Sequence, residues 1–519
     1  MSEPSRGASS VLVILAGMGL VLYMLTAVLL SEGNLVGQLC RFLLVAGFVM
    51  GVLLPRPAFV FWLIGCGYLD LLKRLMVVSG RMFHDDLFYV LGVAPATFAG
   101  IAAGALLHGL FGGVKLRSAH LGLLAAGCVM VLLSALMSLR TNGMSLRALG
   151  PDVANAGLYA LLIFVVPALY QDRVSVMRLL RLLLLAWTPV MLYGVYQQVN
   201  GFQEFEIDYL KTGMSIEIKQ LFSDRVRAFS TLNSPTALGT IAGGLCAMAL
   251  VLGWRPLNRR QTAALASPVA WMLALVYAAG MMASTVRTSL MIPVAGLMAA
   301  WAFRHRGVTW MLYAVMVLAF ALLVLSADFI LNRISVWNDL ATTGALSRML
   351  GAEMTSIGTF SDRLMGFRNI ILNPDAYTWF GYGSERGSDP SDPLYNHDLI
   401  SNMIVRYGCV PLAVMSLAGF VIARHVHRAV HRVRDVDDQR LAAACLGVAF
   451  AVVAASLLSG NVLATFPNNV VFWLLVSITL MLSMTGVKTR AKAAPDQLEP
   501  QSADVPAAVM RAHRQHIPS

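Results

Sequence analysis

Residues 236–253 read TALGTIAGGLCAMALVLG, an apolar stretch without a single charged side chain. A helix of about 20 such residues crosses the hydrocarbon core of a bilayer. Similar stretches recur along the chain, which is 58% hydrophobic and only 13% charged. Because a soluble protein carries about 25% charged residues, this composition cannot cover the surface of a water-soluble globule. The sequence therefore predicts an all-α, polytopic membrane protein.

Apolar windows of this kind predict about 14 transmembrane helices. The predicted spans are 10–30, 35–54, 58–78, 88–111, 119–139, 153–170, 180–199, 236–253, 268–286, 288–303, 308–327, 397–423, 441–461 and 468–486. The span at 58–78 is the weakest, because Asp70, Lys73 and Arg74 interrupt it, and we expect it to lie partly in the interface. The first span is too long for a signal peptide and lacks a cleavage pattern, so it is interpreted as a retained helix.

The distribution of lysine and arginine sets the predicted orientation. With the N-terminus inside, the basic inside loops are 115–117, 173–181, 255–260, 304–306 and 424–440. This pattern follows the positive-inside rule and places both termini on the cytoplasmic side of the membrane. The net charge of +12 is explained by these loops, so we expect no nucleic-acid partner.

Two outside segments are long, and they define the predicted domain organisation. One runs from 200 to 234, and the other, 328–396, is a large periplasmic loop within a transmembrane domain of residues 1–487. Residues 488–519 form a predicted disordered cytoplasmic tail. Within the large loop we expect a short helix, with Ser361 or Asp362 as its N-cap and Asn373-Pro374-Asp375 at its end.

Several arginines on the predicted outer face are not explained by orientation. Arg225 and Arg227 precede the span at 236–253, and Arg287 lies in the polar knot ASTVRTS at 283–289. Arg363 belongs to the large loop. An arginine at membrane depth is costly, and its planar guanidinium suits bidentate phosphate binding. The alternative is that these side chains only reach for the interface.

Of ten histidines, only His84 and His397 are predicted to lie outside. His397 stands where the large loop meets the next span, and an imidazole there could accept a proton from a sugar hydroxyl. The alternative is a polar residue at a helix end. The six cysteines form no close pairs and the sequence contains no nucleotide-binding motif, so we expect no metal, disulfide or cofactor. The glycine-rich Gly381-Tyr382-Gly383 is interpreted as a tight, flexible turn.

Four of these features together resemble a known family. RAFSTLNSPTALG at 227–239 resembles the arginine segment that opens a middle span in O-antigen ligases and polymerases, and STVRTS at 284–289 resembles their second arginine segment. Residues 361–383, followed by Asn396-His397-Asp398 and Gly408, are similar to their large periplasmic loop. The resemblance covers roughly residues 200 to 425. Asp398 departs from it, because many members have asparagine there.

The resemblance implies a metal-independent glycosyltransferase with a glycosyltransferase-C-like helical fold, in the inner membrane of a bacterium. Its donor is a glycan on undecaprenyl diphosphate, and its acceptor is a second glycan. Arg227 and Arg287 would bind the diphosphate, His397 would activate the acceptor hydroxyl, and Arg225 and Arg363 would be further substrate-binding residues. A chain-length regulator and a flippase are candidate partners.

Two activities within this family, and one outside it, stay open on the sequence. A polymerase of exopolysaccharide or O-antigen repeat units is favoured over a ligase to lipid A-core, because about 14 predicted spans exceed the roughly 12 associated with ligases. A transporter of lipid-linked oligosaccharides would have polar residues near mid-membrane and repeat symmetry. The chain shows no repeat, and its polar residues crowd one face.

Overall fold

The structure is a computed structural model that describes a defined part of the chain. The described residues are 18–19, 22–24, 26, 35–79, 86–112, 115–142, 150, 153–155, 157–212, 227–254, 265–305, 308–309, 311, 318, 358–383, 392–394, 399–459 and 465–485. Every regular element within them is a helix, which confirms the all-α prediction. The predicted tail at 488–519, and most of the predicted spans at 10–30 and 308–327, lie outside the described residues.

Seven of the helices described are long and apolar enough to cross a membrane, which confirms a polytopic membrane protein. Three shorter apolar helices accompany them, at Val153–Leu169, Ser267–Ala283 and Asn468–Met484. The finer predictions of about 14 spans and of a glycosyltransferase-C-like arrangement stay predictions.

The α-helices are numbered here in chain order. They are α1 (Leu35–Leu53), α2 (Pro55–Gly65), α3 (Leu69–Val78), α4 (Leu87–Leu110), α5 (Ser118–Asn142), α6 (Leu162–Leu169), α7 (Arg173–Asn200), α8 (Glu204–Lys211), α9 (Pro235–Gly253), α10 (Ser267–Ala283), α11 (Arg287–Arg304), α12 (Gly358–Leu372), α13 (Leu399–Asn402), α14 (Cys409–Arg432), α15 (Val436–Ser459) and α16 (Asn468–Thr485). Short 3₁₀ turns at Leu158–Leu161 and Pro374–Ala376, and a π-helical turn at Met403–Tyr407, join some of them.

Hydrogen bonds to capping side chains explain where α9 and α7 begin. Ser234 precedes α9, and its hydroxyl accepts a hydrogen bond from the backbone N–H of Ala237 at 3.2 Å, while Pro235 supplies the first helical residue. On α7, the side chain of Asp172 accepts from the N–H of Ser175 at 2.8 Å. Of the spans, α9 is also the most enclosed, with 83% of its apolar window buried. It therefore forms the central helix around which α7, α10, α11 and α15 pack.

The predicted span at 58–78 is two helices in the structure. A turn at residues 66–68 separates α2 from α3, and α3 carries the charged residues that weakened the prediction. Asp70 and Arg74 are both buried inside the protein, and the expectation that this span lies partly in the membrane interface stays a prediction. A buried charge is tolerated only when it is paired and hydrogen-bonded, and the partners of Arg74 come from distant parts of the chain.

The short helix of the large loop is present, but its predicted start was wrong. α12 begins at Gly358, so Ser361 and Asp362 lie inside the helix and cannot be its N-cap. Its predicted end is confirmed at Leu372. The side chain of Asn373 accepts from the N–H of Asp375 at 3.0 Å and turns the chain out of the helix.

Glycines allow α1 and α4 to pack with their backbones in contact. A Cβ atom at Gly100 would lie 2.2 Å from the carbonyl oxygen of Phe48, and one at Gly104 would lie 2.4 Å from that of Gly51. Small residues are the usual means by which membrane helices approach this closely.

Replacing Gly100 by alanine should therefore force α1 and α4 apart and destabilise the protein by about 1–3 kcal/mol. The measurement is the melting temperature of the purified protein in detergent. Gly122→Ala on α5 is the matched control, because a Cβ there meets no atom within 4 Å. An equal melting temperature for Gly100→Ala and the wild type would contradict the close packing.

Candidate functional site

The segment 227–234 enters the protein interior without forming a helix. Ala228, Phe229, Ser230 and Leu232 are each at most 1% exposed. Ser230 has φ of +58°, in the left-handed region, and so turns the chain sharply before α9. Irregular backbone at membrane depth requires every buried N–H and C=O to find a partner in the protein.

Arg74 and Gln197 supply those partners from two other helices. Nη2 of Arg74 donates to the carbonyl oxygens of Ser230 at 2.8 Å and of Leu232 at 2.7 Å. The side-chain oxygen of Gln197 accepts from the N–H of Phe229 at 3.2 Å and of Ser230 at 2.6 Å. The segment is thus held by α3 on one side and α7 on the other.

Glu206 completes this buried group, which we call the Arg74 clamp (Arg74, Gln197 and Glu206). Its carboxylate lies 3.2 Å from Nη1 of Arg74 and accepts from Nε2 of Gln197 at 2.5 Å. Arg74 and Glu206 are 1% and 0% exposed. The guanidinium also lies 4.5 Å from the centroid of the Phe229 ring. The clamp balances its own charge, so its role is to fix the backbone of the segment.

Two hydroxyl groups of the segment anchor it as well. The hydroxyl of Thr231 donates to the carbonyl oxygen of Gly67 at 2.6 Å, in the turn between α2 and α3. The hydroxyl of Ser230 donates to the carbonyl oxygen of Val190 on α7. The turn that breaks the predicted span at 58–78 therefore also contributes to holding the segment.

The two arginine segments lie against each other. The N–H of Ala228 donates to the carbonyl oxygen of Ala283 at 3.3 Å, which joins residues 227–234 to the polar knot at 283–289. A Cβ at Gly239 would lie 2.6 Å from Oγ of Ser284 and 2.9 Å from Oγ of Ser289. The N-terminal part of α9 is therefore in direct contact with the knot at 283–289, which includes the start of α11.

This contact makes an environment that favours anions. Arg287 is the first residue of α11, Arg227 lies eight residues before Pro235 at the start of α9, and both side chains are partly buried. A helix N-terminus carries a partial positive charge, so two adjacent N-termini attract negative charge. Two guanidinium groups on neighbouring segments add the planar donors that phosphate oxygens prefer.

The structure does not describe the side chains of the other three predicted site residues. Arg225 and His397 lie outside the described residues. Arg363 lies in α12, of which the structure describes only the backbone at that position. Their contribution to the site stays a prediction. α13 begins at Leu399, two residues after His397, in agreement with the expectation that this histidine precedes a helix.

The glycine-rich turn at 381–383 is fixed by hydrogen bonds. The N–H groups of Tyr382 and Gly383 donate to the carbonyl oxygens of Val405 at 2.8 Å and Arg406 at 3.0 Å. Gly381 and Gly408 both have positive φ, and a Cβ at Gly408 would lie 2.3 Å from the backbone nitrogen of Gly381. Two separate parts of the family resemblance, the glycine turn and Gly408, thus contact each other.

Sequence reasoning missed the Arg74 clamp. Its signal was present, since a charged residue inside an apolar window needs a partner of opposite charge, and Glu206 lies in the long outside segment 200–234. The pairing spans 132 residues of sequence, which no local pattern can show.

Comparison with known proteins does not assign this chain to a family. No family model matches this chain, and no curated protein matches it.

Proposed function

We propose that this chain is a membrane glycosyltransferase whose donor is a glycan on undecaprenyl diphosphate, and that it polymerises repeat units at the periplasmic face. The observation that supports the proposal most is the contact between the two arginine segments, through Ala228, Ala283 and Gly239. The motifs that resemble O-antigen ligases and polymerases are far apart in sequence, and two of them meet here.

The proposed chemistry needs an anion site and a base. As the glycosidic bond to the carrier breaks, negative charge grows on the departing diphosphate, and fixed donors aimed at that charge lower the barrier. Arg227, Arg287 and the N-termini of α9 and α11 are those donors in the proposal. His397 removes the proton of the attacking sugar hydroxyl, with Asp398 as a candidate to orient it.

The Arg74 clamp gives the anion site its rigidity. A site that binds a transition state works best when its donors are held in place before the reaction starts. The clamp holds the segment that begins at Arg227 through five hydrogen bonds to its backbone. Because the segment is buried and held rigidly, we expect it to have a catalytic or binding role and not to be a mobile loop.

A ligase and a transporter are the alternatives, and the acceptor separates them experimentally. Purified protein in liposomes receives lipid-linked glycan donor, either alone or with lipid A-core, in the presence of a chelator. Longer lipid-linked glycan with donor alone supports the polymerase, and glycan on lipid A-core supports the ligase. Movement of intact donor across the bilayer without transfer, or a strict need for added metal, would contradict the proposal.

Arg287→Lys should lower the rate of transfer by about ten- to a hundredfold, because a point charge loses the paired hydrogen bonds of a guanidinium, each worth about 1.5–3 kcal/mol to a charged group. The measurement is the initial rate with purified donor. Arg181→Lys is the matched control, since Arg181 is exposed on the N-terminal half of α7, far along that helix from Gln197. A wild-type rate for Arg287→Lys would show that the side chain only reaches for the interface.

A further inference from the structure

A cavity of about 590 Å³ lies beside the candidate site. Helices α1, α3 and α4 form much of its wall, together with residues 153–159 and 465–466. Asn233, from the segment that begins at Arg227, also lines it, so the cavity borders on that segment. Its volume falls within the range of about 300–1,000 Å³ that is usual for ligand sites.

The lining of this cavity suits a hydrocarbon and not an anion. Most lining side chains are apolar, among them Leu44, Val90 and Ala94. The charged ones are Asp70 and Lys73, which pair with each other at 2.6 Å. Since this pair has no net charge, the cavity cannot balance the charge of a diphosphate, whereas its apolar wall favours an apolar ligand.

Two adjacent residues of α3 contact the cavity and the segment that begins at Arg227, respectively. Lys73 lines the cavity, while Arg74 donates to the carbonyl oxygens of Ser230 and Leu232. A ligand with its diphosphate at the arginine segments would therefore have this apolar space next to the first part of its attached chain.

We propose that the cavity receives the carrier chain of the donor, namely its isoprene units nearest to the diphosphate. This proposal rests on the proposed function, because the donor is the lipid that brings a diphosphate and a hydrocarbon chain together. The cavity aligns the carrier so that its diphosphate meets the donors of α9 and α11.

The test is photolabelling, which needs no turnover. Purified protein is irradiated with farnesyl diphosphate that carries a diazirine on its last isoprene unit, and the labelled peptides are identified by mass spectrometry. We expect labels on α1 around Leu44 and on α4 between Val90 and Pro95. Excess undecaprenyl diphosphate should suppress them at least fivefold, and the same amount of phosphatidylglycerol should not.

Ala94→Leu adds volume inside the cavity and should reduce the labelling of α1 and α4 at least fivefold. Ala125→Leu adds the same volume on an exposed face of α5 and should leave it unchanged. Labels confined to outward-facing helices such as α14, equal suppression by phosphatidylglycerol, or wild-type labelling of Ala94→Leu would each overturn the proposal. If Ala94→Leu does not fold, the positions of the labels on the wild-type protein decide whether the proposal holds. Cavity labelling without glycan transfer would refute the proposed function alone.

Discussion

Replacing Arg74 by leucine should abolish most of the folded protein. The change leaves the carboxylate of Glu206 buried without its cation, and it removes the donors to the carbonyl oxygens of Ser230 and Leu232. Breaking a buried ion pair by removing one partner costs about 3–5 kcal/mol. The measurement is the yield of monodisperse protein, by size-exclusion chromatography of a fluorescent fusion, and its melting temperature.

Two variants show whether this loss comes from the clamp. Arg181→Leu removes an exposed arginine and should fold normally. Glu206→Gln keeps hydrogen-bonding groups at the same position, but it loses the charge that Arg74 faces, so its melting temperature should fall between those of Arg74→Leu and the wild type. Normal yield and stability of Arg74→Leu would contradict the assignment of this group as the support of the site.

Replacing His397 by alanine should reduce glycan transfer by about 10²–10⁴-fold, the usual contribution of a general base, while the protein stays in the membrane. The role of His397 is a prediction from the family resemblance, because this residue lies outside the described part of the chain. The measurement is the length of the glycan that cells make, together with the amount of protein in the membrane.

His425→Ala is the matched control for His397. His425 is exposed on α14, in a basic stretch that the sequence places on the cytoplasmic side, and its loss should leave the glycan unchanged. Glycan of normal length from cells with His397→Ala would reject the catalytic role of this histidine and leave the anion site without its base.

Sequence patterns predicted several helices well, but the predicted span 397–423 was wrong, since a π-helical turn and Gly408 divide it into α13 and α14, which begins at Cys409. The window at 236–253 is α9, and the window at 88–111 is α4, each within one residue. The window at 58–78 was harder, because its many apolar residues are compatible with a single helix. The structure divides it at residues 66–68, where the carbonyl oxygen of Gly67 accepts a hydrogen bond from the distant Thr231.

The sequence singles out two arginines for the candidate site, which stays a prediction, but it does not show the clamp that supports their segment. Arg227 and Arg287 stand out because the positive-inside rule does not explain them. The contact between their two segments could not be read from sequence spacing, since it depends on the close approach that Gly239 permits between α9 and the knot at 283–289. The clamp was hidden for the same reason, because its three members come from three separate segments.

The binding of undecaprenyl diphosphate to the purified protein tests most directly whether the two arginine segments form a diphosphate site. Titrations compare the wild type with the double variant Arg227→Gln/Arg287→Gln, after both have been shown to melt at similar temperatures. We expect the Kd to rise at least tenfold in the double variant, or about 1.4 kcal/mol. An unchanged Kd would contradict the account, because the diphosphate would then bind elsewhere or not be the ligand.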